Sequence, residues 1–453
     1  MDRLSELPES TLLHILSFLT MKDVVKTAVL SKRWPHLWTI IQELDFNNHD
    51  FHDYQDFVDF VNRTLLSRGT CKIRRLRIRL FLNASSRKDY VGWMLYAAKN
   101  NVEELFLDFD SDCCEWVTPK CVCCNSSLKT LSLWSCRLIP DMQIRWNLLT
   151  KLTLRFSVLW DDSIRKIMVG APKLEFFELA SCWGYNDLTI DSPSLRVLIV
   201  REYESVVYEC DPFVKISAPN VQSLQLSGSF YRKCVLTNVP SVVRATLNFR
   251  PYTFSDREKS NLKWKQDNLM ELVGNLKHVE SLTLGSWCVE ALAQREKRHV
   301  PSHISSHKCV TLSVSMNDDD LLGTVNLLKG SPDLEMLIID MEPKLWEESE
   351  SIELADSENF SYANGANYLV SQAKHVKSLL HHLKTVKITQ FVGKHSVFPF
   401  LEFILKNGRV LENLVIIAKR GLDENSAESL LKVAQRLLSL PRASSRAVVT
   451  LLN

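Results

Sequence analysis

Leu128 to Leu138 reads LKTLSLWSCRL, and its spacing decides the fold. Leu128, Leu131 and Leu133 follow the pattern L-x-x-L-x-L. The second and third leucines alternate along an extended strand, so both face one side, while Ser132 and Trp134 face the other. Cys136 and Leu138 carry the pattern past the strand, where a small apolar thiol packs well. One such strand cannot bury its apolar side alone, so copies must stack.

Copies are present on both sides. The same triplet recurs as Val102, Leu105, Leu107 and as Ile73, Leu76, Ile78 before it. After it come Leu149, Leu152, Leu154; Leu174, Phe177, Leu179, completed by Cys182; Leu195, Leu198, Val200; and Val221, Leu224, Leu226. A weaker unit lies near Val242. Later units are Val279, Leu282, Leu284; Leu334, Leu337, Ile339; Leu383, Val386, Ile388; and Leu411, Leu414, Ile416, making eleven clear matches. A period of roughly 20–29 residues fits one strand and one return segment per unit. Small-Pro pairs at Ala171-Pro172, Ser192-Pro193, Ala218-Pro219 and Ser331-Pro332 set the turn into a strand, because proline fixes φ and cannot donate to the ladder. Tyr252 to Asn275 is long and charged and is read as a helical insertion. Residues 342 to 367 hold Glu347, Glu348, Glu350, Glu353, Asp356 and Glu358 and are expected to be a solvated loop.

Before the repeats, three short helices are expected. Pro8 or Ser10 starts the first, with Leu12, Ile15, Leu16 and Leu19 on one face and Leu13 and Phe18 widening the stripe. Thr20 to Asp23 breaks it, and a second helix carries Val24, Val25, Ala28 and Val29. Ser31 is expected to cap a third, with Trp34, Leu37 and Trp38 at i, i+3, i+4. A unit of this size has more apolar surface than it can bury, which asks for a partner. Phe57, Phe60 and Val61 then mark an amphipathic connecting helix.

The stretches LPESTLLHILSFL, KDVV and VLSKRWPHLW resemble an F-box, in the form that opens plant F-box/FBD/LRR-repeat proteins. That family usually has proline after its Phe-Leu pair; this chain has Thr20, at a turn. HHLKTVKITQFVGKHSVFPFLEFILKNGRVLENLVI, His381 to Ile416, is similar to the family's FBD segment, followed by a helix near Ser429 to Leu440 and a last strand. The resemblance implies an α/β chain: a short three-helix F-box, a curved leucine-rich-repeat solenoid, and a C-terminal FBD cap. The expected division is F-box 1–46, connecting helix 47–72, repeats 73–341, acidic linker 342–375 and FBD segment 376–453. It also implies that Leu7, Pro8, Leu12, Ile15, Leu16, Leu19, Val24, Val25 and Trp34 supply the docking face for a Skp-type adaptor and the packing behind it. Through that adaptor the chain meets cullin in an SCF ubiquitin ligase, and the solenoid selects an unknown protein for ubiquitination. A scaffold outside any ligase is the alternative. So is a small-molecule sensor, which a deep pocket lined by basic side chains would favour.

Composition agrees with an intracellular binding protein of the nucleus or cytoplasm. The chain has 453 residues, 45% apolar and 24% charged, with net charge +2. Nothing in that balance favours nucleic acid or an anionic membrane as partner. No apolar run approaches the length of a membrane span, and Asp2, Glu6 and Glu9 read against a signal peptide. Twelve cysteines without a secretory signal read as reduced thiols. Enzyme motifs such as G-x-x-x-x-G-K-S/T, H-E-x-x-H and G-x-S-x-G are missing, so no catalytic residue and no cofactor are expected.

Cys113, Cys114, Cys121, Cys123 and Cys124 invite zinc through one C-x-x-C pair, but they run into a repeat strand and match no standard knuckle, so they are read as packing. His299, His303, His307 and Cys309 are read as loop residues, since Pro301 interrupts any helix through them. Lys72, Arg74, Arg75, Arg77, Arg79 and Arg87 form a basic run whose strand part is read as a solvent face opposite the core, with a docking patch for an acidic partner as the alternative. The alternation rule places Ser132, Trp134, Thr153, Arg155, Glu178, Ile199, Arg201 and Gln225 on the open face, with Trp160 and Trp183 just past strand ends. Trp134, Arg155 and Arg201 are the expected substrate patch, because Trp and Arg dominate binding hot spots.

Overall fold

A computed structural model describes residues 7–30, 34–69, 71–81, 89–110, 116–139, 141–202, 213–229, 233–250, 262–297, 305–341, 381–392, 397–420, 432 and 434–452. It divides into two compact units, Met1–Val221 and Gln222–Asn453.

Unit 1 opens with α1 (Glu9–Leu16), entered from Pro8 at its N-cap and burying Leu12 and Leu16. Thr20 is more than a turn residue. Its Oγ1 accepts from the Asp23 N–H at 3.3 Å and caps α2 (Met21–Lys26). The expected second helix stops at Lys26, and Thr27–Val29 tighten into a 3-10 turn. The expected cap Ser31 lies outside the described residues; α3 spans Trp34–Thr39. Next come β1 (Glu43–Asn47) and α4 (Tyr54–Ser67), which buries Phe57, Val58, Val61 and Leu65 as its periodicity predicts. At its end the buried Arg68 donates to the carbonyls of Trp38, at 3.1 Å, and Ile41, tying α3 to α4.

The chain then alternates strands with return segments. In order these are β2 (Arg75–Phe81), α5 (Asp89–Lys99), β3 (Glu104–Asp110), β4 (Trp116–Val117), α6 (Lys120–Cys123), β5 (Thr130–Trp134) and β6 (Cys136–Arg137). They continue with β7 (Lys151–Arg155), α7 (Asp161–Gly170), β8 (Phe176–Ala180), β9 (Asp187–Thr189), β10 (Val197–Glu202) and β11 (Phe213–Ser217). The main sheet of unit 1 is parallel, in the order β1-β2-β3-β5-β7-β8-β10. Its register sets Leu76, Leu105, Leu131, Leu152, Phe177 and Leu198 side by side in one core row. β1 already carries the template as Leu44 and Phe46, both buried, although it lies within the stretch read as F-box.

Unit 2 runs β12 (Ser223–Ser229), β13 (Lys233–Asn238), β14 (Arg244–Arg250), α8 (Leu262–Asn275), β15 (Ser281–Gly285), α9 (Ser286–Lys297) and β16 (Cys309–Ser313). It goes on through α10 (Asp318–Gly330), β17 (Met336–Asp340), β18 (Thr385–Phe391), α11 (Phe398–Asn407), β19 (Asn413–Ala418) and β20 (Val448–Leu452). Its parallel order is β12-β14-β15-β16-β17-β18-β19-β20. None of the eleven expected triplets is more than 3% exposed in any member, and the weak unit at Val242, Ala245 and Leu247 is buried too.

Two expectations change here. The helical insertion is the return helix between β14 and β15: α8 buries Leu269 and Leu272, and Asn268 clamps Cys234 on β13 through its N–H (3.0 Å) and carbonyl (2.8 Å). Residues 251–261 lie outside the described residues, as do Arg87, Cys113, Cys114, His299, His303 and all of 342–380. His307 lies in the loop before β16, as read, but it is buried. It fills the first template position of an unrecognised unit, His307, Val310, Leu312, and its Nδ1–H donates to the Val279 carbonyl at 2.8 Å. Burial holds its pKa below the ordinary histidine value.

The small-Pro turns are built as read. Ala171, Ser192, Ala218 and Ser331 are buried, and the carbonyls of Ala171, Ala218 and Ser331 accept from Leu174, Val221 and Leu334 at 3.1–3.3 Å. After the FBD-like stretch, residues 434–439 are helical and β20 pairs with β19.

Candidate functional site

The F-box helices sort the nine expected docking residues into two groups. Leu12, Leu16, Val24 and Trp34 are buried and form the unit's own core with Met21 and Leu37. Leu7, Ile15 and Val25 are half-buried, while Pro8 and Leu19 are exposed. The largest exposed apolar surfaces were not among the nine: Phe18 is 75% exposed and Val29 87%, with Leu30 also exposed. Their signal was in the sequence, since a two-turn helix cannot bury apolar residues on every side. Hydropathy cannot tell which of those residues point outward.

The open face of unit 1 is set by strand register. One row runs Asp45, Arg77, Phe106, Ser132, Thr153, Glu178, Ile199, and the next runs Asn47, Arg79, Asp108, Trp134, Arg155, Ala180, Arg201. The three expected substrate-patch residues therefore lie in one row, with Ala180 between the two arginines. Three residues expected to be exposed on this face are covered: Thr153, Glu178 and Ile199. Strands about 4.8 Å apart leave little room between outward side chains, and longer neighbours close over shorter ones. Glu178 lies beneath Arg155 (Nη2–Oε1 3.7 Å) and Arg201 (Nε–Oε1 3.5 Å).

Trp134 stacks on Phe156, ring centroids 5.3 Å apart and planes 15° from parallel. Phe156 sits in the left-handed region at φ 47°, as Ser135 and Ser181 do at the same point of the adjacent strands. Each donates its N–H to the next strand, at 2.6–2.8 Å, so the turn belongs to the ladder. At Ser135 and Ser181 the residue is small; at Phe156 a bulky ring takes a conformation that costs roughly 1–2 kcal/mol.

The basic run is not a free patch. Arg74 and Arg75 bridge Glu43 and Glu104 on the flanking strands, Arg75 at 2.9 and 2.6 Å, and Arg79 pairs with Asp45 at 2.8 Å. Sequence separation hid these acids, which the register brings alongside. Arg77 is the exception, 4.0 Å from Asp45 and 4.5 Å above the Phe106 ring. Burial pushes the Asp45 and Asp108 carboxyls above the usual carboxylate range despite the arginines beside them.

A cavity of about 630 Å3 lies against β1 and β2. Leu13, Leu16, Phe18, Leu19 and Ile40 form its apolar side, and Arg75, Arg77 and Arg79 with Glu43 and Asp45 its charged side.

The open face of unit 2 differs. Its register rows read Gln225, Thr246, Thr283, Thr311, Ile338, Lys387, Val415 and Gly285, Ser313, Asp340, Thr389, with Ser227 paired to Asn248. Among the cysteines, Cys123, Cys136 and Cys182 are buried, and Cys182 donates to the Leu154 carbonyl at 3.3 Å. Burial pushes the Cys288 thiol up to about 12, which suits packing and not nucleophilic chemistry. Among the described residues no group of three or more His, Cys, Asp or Glu is placed to hold a metal ion, and no helix is long and apolar enough to cross a membrane.

Comparison with known proteins matches this architecture. An F-box domain model matches residues 4–43, and the model described as At1g61320/AtMIF1, LRR domain, matches residues 65–450. The chain belongs to the F-box/LRR-repeat family. Similar Arabidopsis thaliana proteins include the putative F-box protein At1g49610, 31% identical over 75% of this chain and 84% of the relative. F-box/LRR-repeat protein At5g02910 is 29% identical over 96% and 93%, and F-box/FBD/LRR-repeat protein At1g13570 is 24% identical over 100% and 99%. An F-box/LRR-repeat chain thus covers most of each relative, and its helical and repeat parts occur in the same order as the two matched models.

Proposed function

We propose that this chain is the substrate-recognition subunit of an SCF-type ubiquitin ligase. Its F-box docks on a Skp-type adaptor and through it on cullin, and its repeats hold the protein to be ubiquitinated. The observation that carries this is exposed apolar surface on a small helical unit, above all Phe18 and Val29. Exposed side chains of that size are strong candidates for burial against a partner. Leu12, Leu16, Val24 and Trp34 act from behind, by holding the helices together. The chain itself supplies no ligase chemistry, and it works in the nucleus or cytoplasm. Within it, residues 376–453 act as an FBD segment and 342–375 as a linker.

The test is co-purification with the adaptor. Phe18→Ser and Val29→Ser change no core volume, so the chain should keep its fold while adaptor affinity falls about tenfold or more. Leu12→Ala with Leu16→Ala would not discriminate, because each buried leucine costs about 2–5 kcal/mol of stability. Undiminished adaptor binding by a folded Phe18→Ser, Val29→Ser chain would refute the docking face.

The cavity against β1 and β2 favours a second function, a small-molecule-dependent sensor. Its size is that of ordinary ligand sites, and three arginines line it. A ligand there should raise the melting temperature of the wild-type chain and not that of Arg77→Gln.

A further inference from the structure

The open face of unit 1 carries an imbalance that its ion pairs do not remove. Glu178, only 8% exposed at its side chain, is covered, while Arg155 above it is 44% exposed. One oxygen of Glu178 serves both Arg155 and Arg201, at 3.7 and 3.5 Å, longer than a good charge-assisted hydrogen bond. Among the described residues, the ion pair of Arg77 is its 4.0 Å approach to Asp45. The Nε atoms of Arg77, Arg155 and Arg201 are buried without a hydrogen-bond partner among the described residues. At the β7 to β10 end of this face a partner therefore meets Arg155 and Arg201 before the covered Glu178, while at the β1 and β2 end Arg77 shares the surface with half-exposed Asp45.

Spacing narrows the partner further. Arg77 is three strand steps from Arg155, and Arg155 two steps from Arg201. At about 4.8 Å per step, and with Arg77 level with Thr153 and so two residues before Arg155 along the strands, these separations are about 16 and 10 Å. An extended peptide rises about 3.4 Å per residue and turns alternate side chains to one face, so acids four and then two residues apart share that face and, with the reach of the Glu and Arg side chains, come within about 3 Å of these separations. Between Arg77 and Arg155 the same line crosses the Trp134–Phe156 stack, which gives an apolar side chain a flat surface.

We infer that this face binds an extended acidic peptide segment, with carboxylates on Arg77, Arg155 and Arg201 and an apolar side chain on Trp134 and Phe156. This rests on the proposal that the repeats hold the substrate, and it names the substrate's chemistry. Glu178 then acts as an internal competitor: it holds the arginines in place in the free protein and weakens the peptide's hold on them.

The experiment uses the full chain and a fluorescent ten-residue peptide with Glu at its first, fifth and seventh positions, Leu at the third and Gly or Ser elsewhere. Its counterpart has Lys in place of each Glu. The Glu peptide should bind, and more weakly as salt rises, while the Lys peptide should not. Arg155→Gln with Arg201→Gln should weaken binding about tenfold or more, and Trp134→Ala severalfold. Glu178→Gln should tighten binding about threefold to tenfold, a gain that misfolding cannot imitate. Equal binding of the Glu and Lys peptides, no binding of the Glu peptide, or no gain in Glu178→Gln would overturn the inference. Ubiquitinated proteins trapped by the Arg155→Gln, Arg201→Gln chain separate the two levels. If trapping falls while the Glu peptide fails to bind, the face holds the substrate and the acidic class is wrong. If trapping is unchanged, the face itself is not the substrate site and both readings fall.

Discussion

On the core side, the two units are nearly interchangeable. Leu131, Leu133 and their neighbours in unit 1, and Leu282, Leu284 and theirs in unit 2, fill the same template positions with the same burial. On the open side they differ. Unit 1 presents arginines over submerged carboxylates with an aromatic stack, while unit 2 presents mostly Thr, Ser, Asn and Gly, with Lys387 and Asp340 at intervals. Stacking constrains one face of each strand and leaves the other free, because successive side chains alternate. The two units therefore share one kind of core and differ in the chemistry of their open faces.

The first way to break this comparison is to cut into both cores. Leu133→Ala and Leu312→Ala should each lower stability by about 2–5 kcal/mol in denaturant melts. A cost in one unit and none in the other would end the equivalence.

A smaller effect should separate the open faces. Arg155→Glu with Arg201→Glu puts two carboxylates beside covered Glu178, and stability should drop by about 1–3 kcal/mol. The neutral Arg155→Gln, Arg201→Gln pair should lose less, so it is the better variant for binding work. An unchanged melt for the Glu pair would mean that Glu178 is not held by those arginines.

His307 sharpens the core comparison through pH. Its folded pKa is depressed by burial, so the unfolded chain binds the proton more readily. Stability should be full above the unfolded value, near 6.5, and fall as pH drops through it. Melts from pH 7.5 to 5.5 should show this loss in wild type and less of it in His307→Leu, whereas an equal slope in both would place the acid sensitivity elsewhere. The smallest effect is expected on the open face of unit 2. Thr283→Ala and Thr311→Ala should change stability by no more than about 0.5 kcal/mol. A much larger loss would show that face to be structural.

The repeat fold was legible because its signal is a spacing, and spacing survives without knowledge of contacts. Units failed to stand out where the chemistry of one position departed from apolar. His307 hid a repeat behind a polar name, although a buried imidazole with its Nδ1–H on a carbonyl packs there. Ala245 weakened another by being small. Thr20 looked like a departure from pattern and proved to be a cap. The candidate face was half legible. Alternation placed Trp134, Arg155 and Arg201 on one side, but pairing depends on register between strands some twenty residues apart. Glu178 under two arginines, and Glu43 and Glu104 beside Arg75, could not be read from local sequence. Nor could the role of Arg68, a buried tie to the Trp38 and Ile41 carbonyls.

The central claim is that the F-box places these repeats in a ligase. The most direct measurement is the molar mass, by light scattering, of the purified chain mixed with a Skp-type adaptor and a cullin. A single species containing one copy of each is predicted, and Phe18→Ser with Val29→Ser should leave the chain outside it. A folded wild-type chain that elutes alone at its own mass of 52.1 kDa would contradict the account.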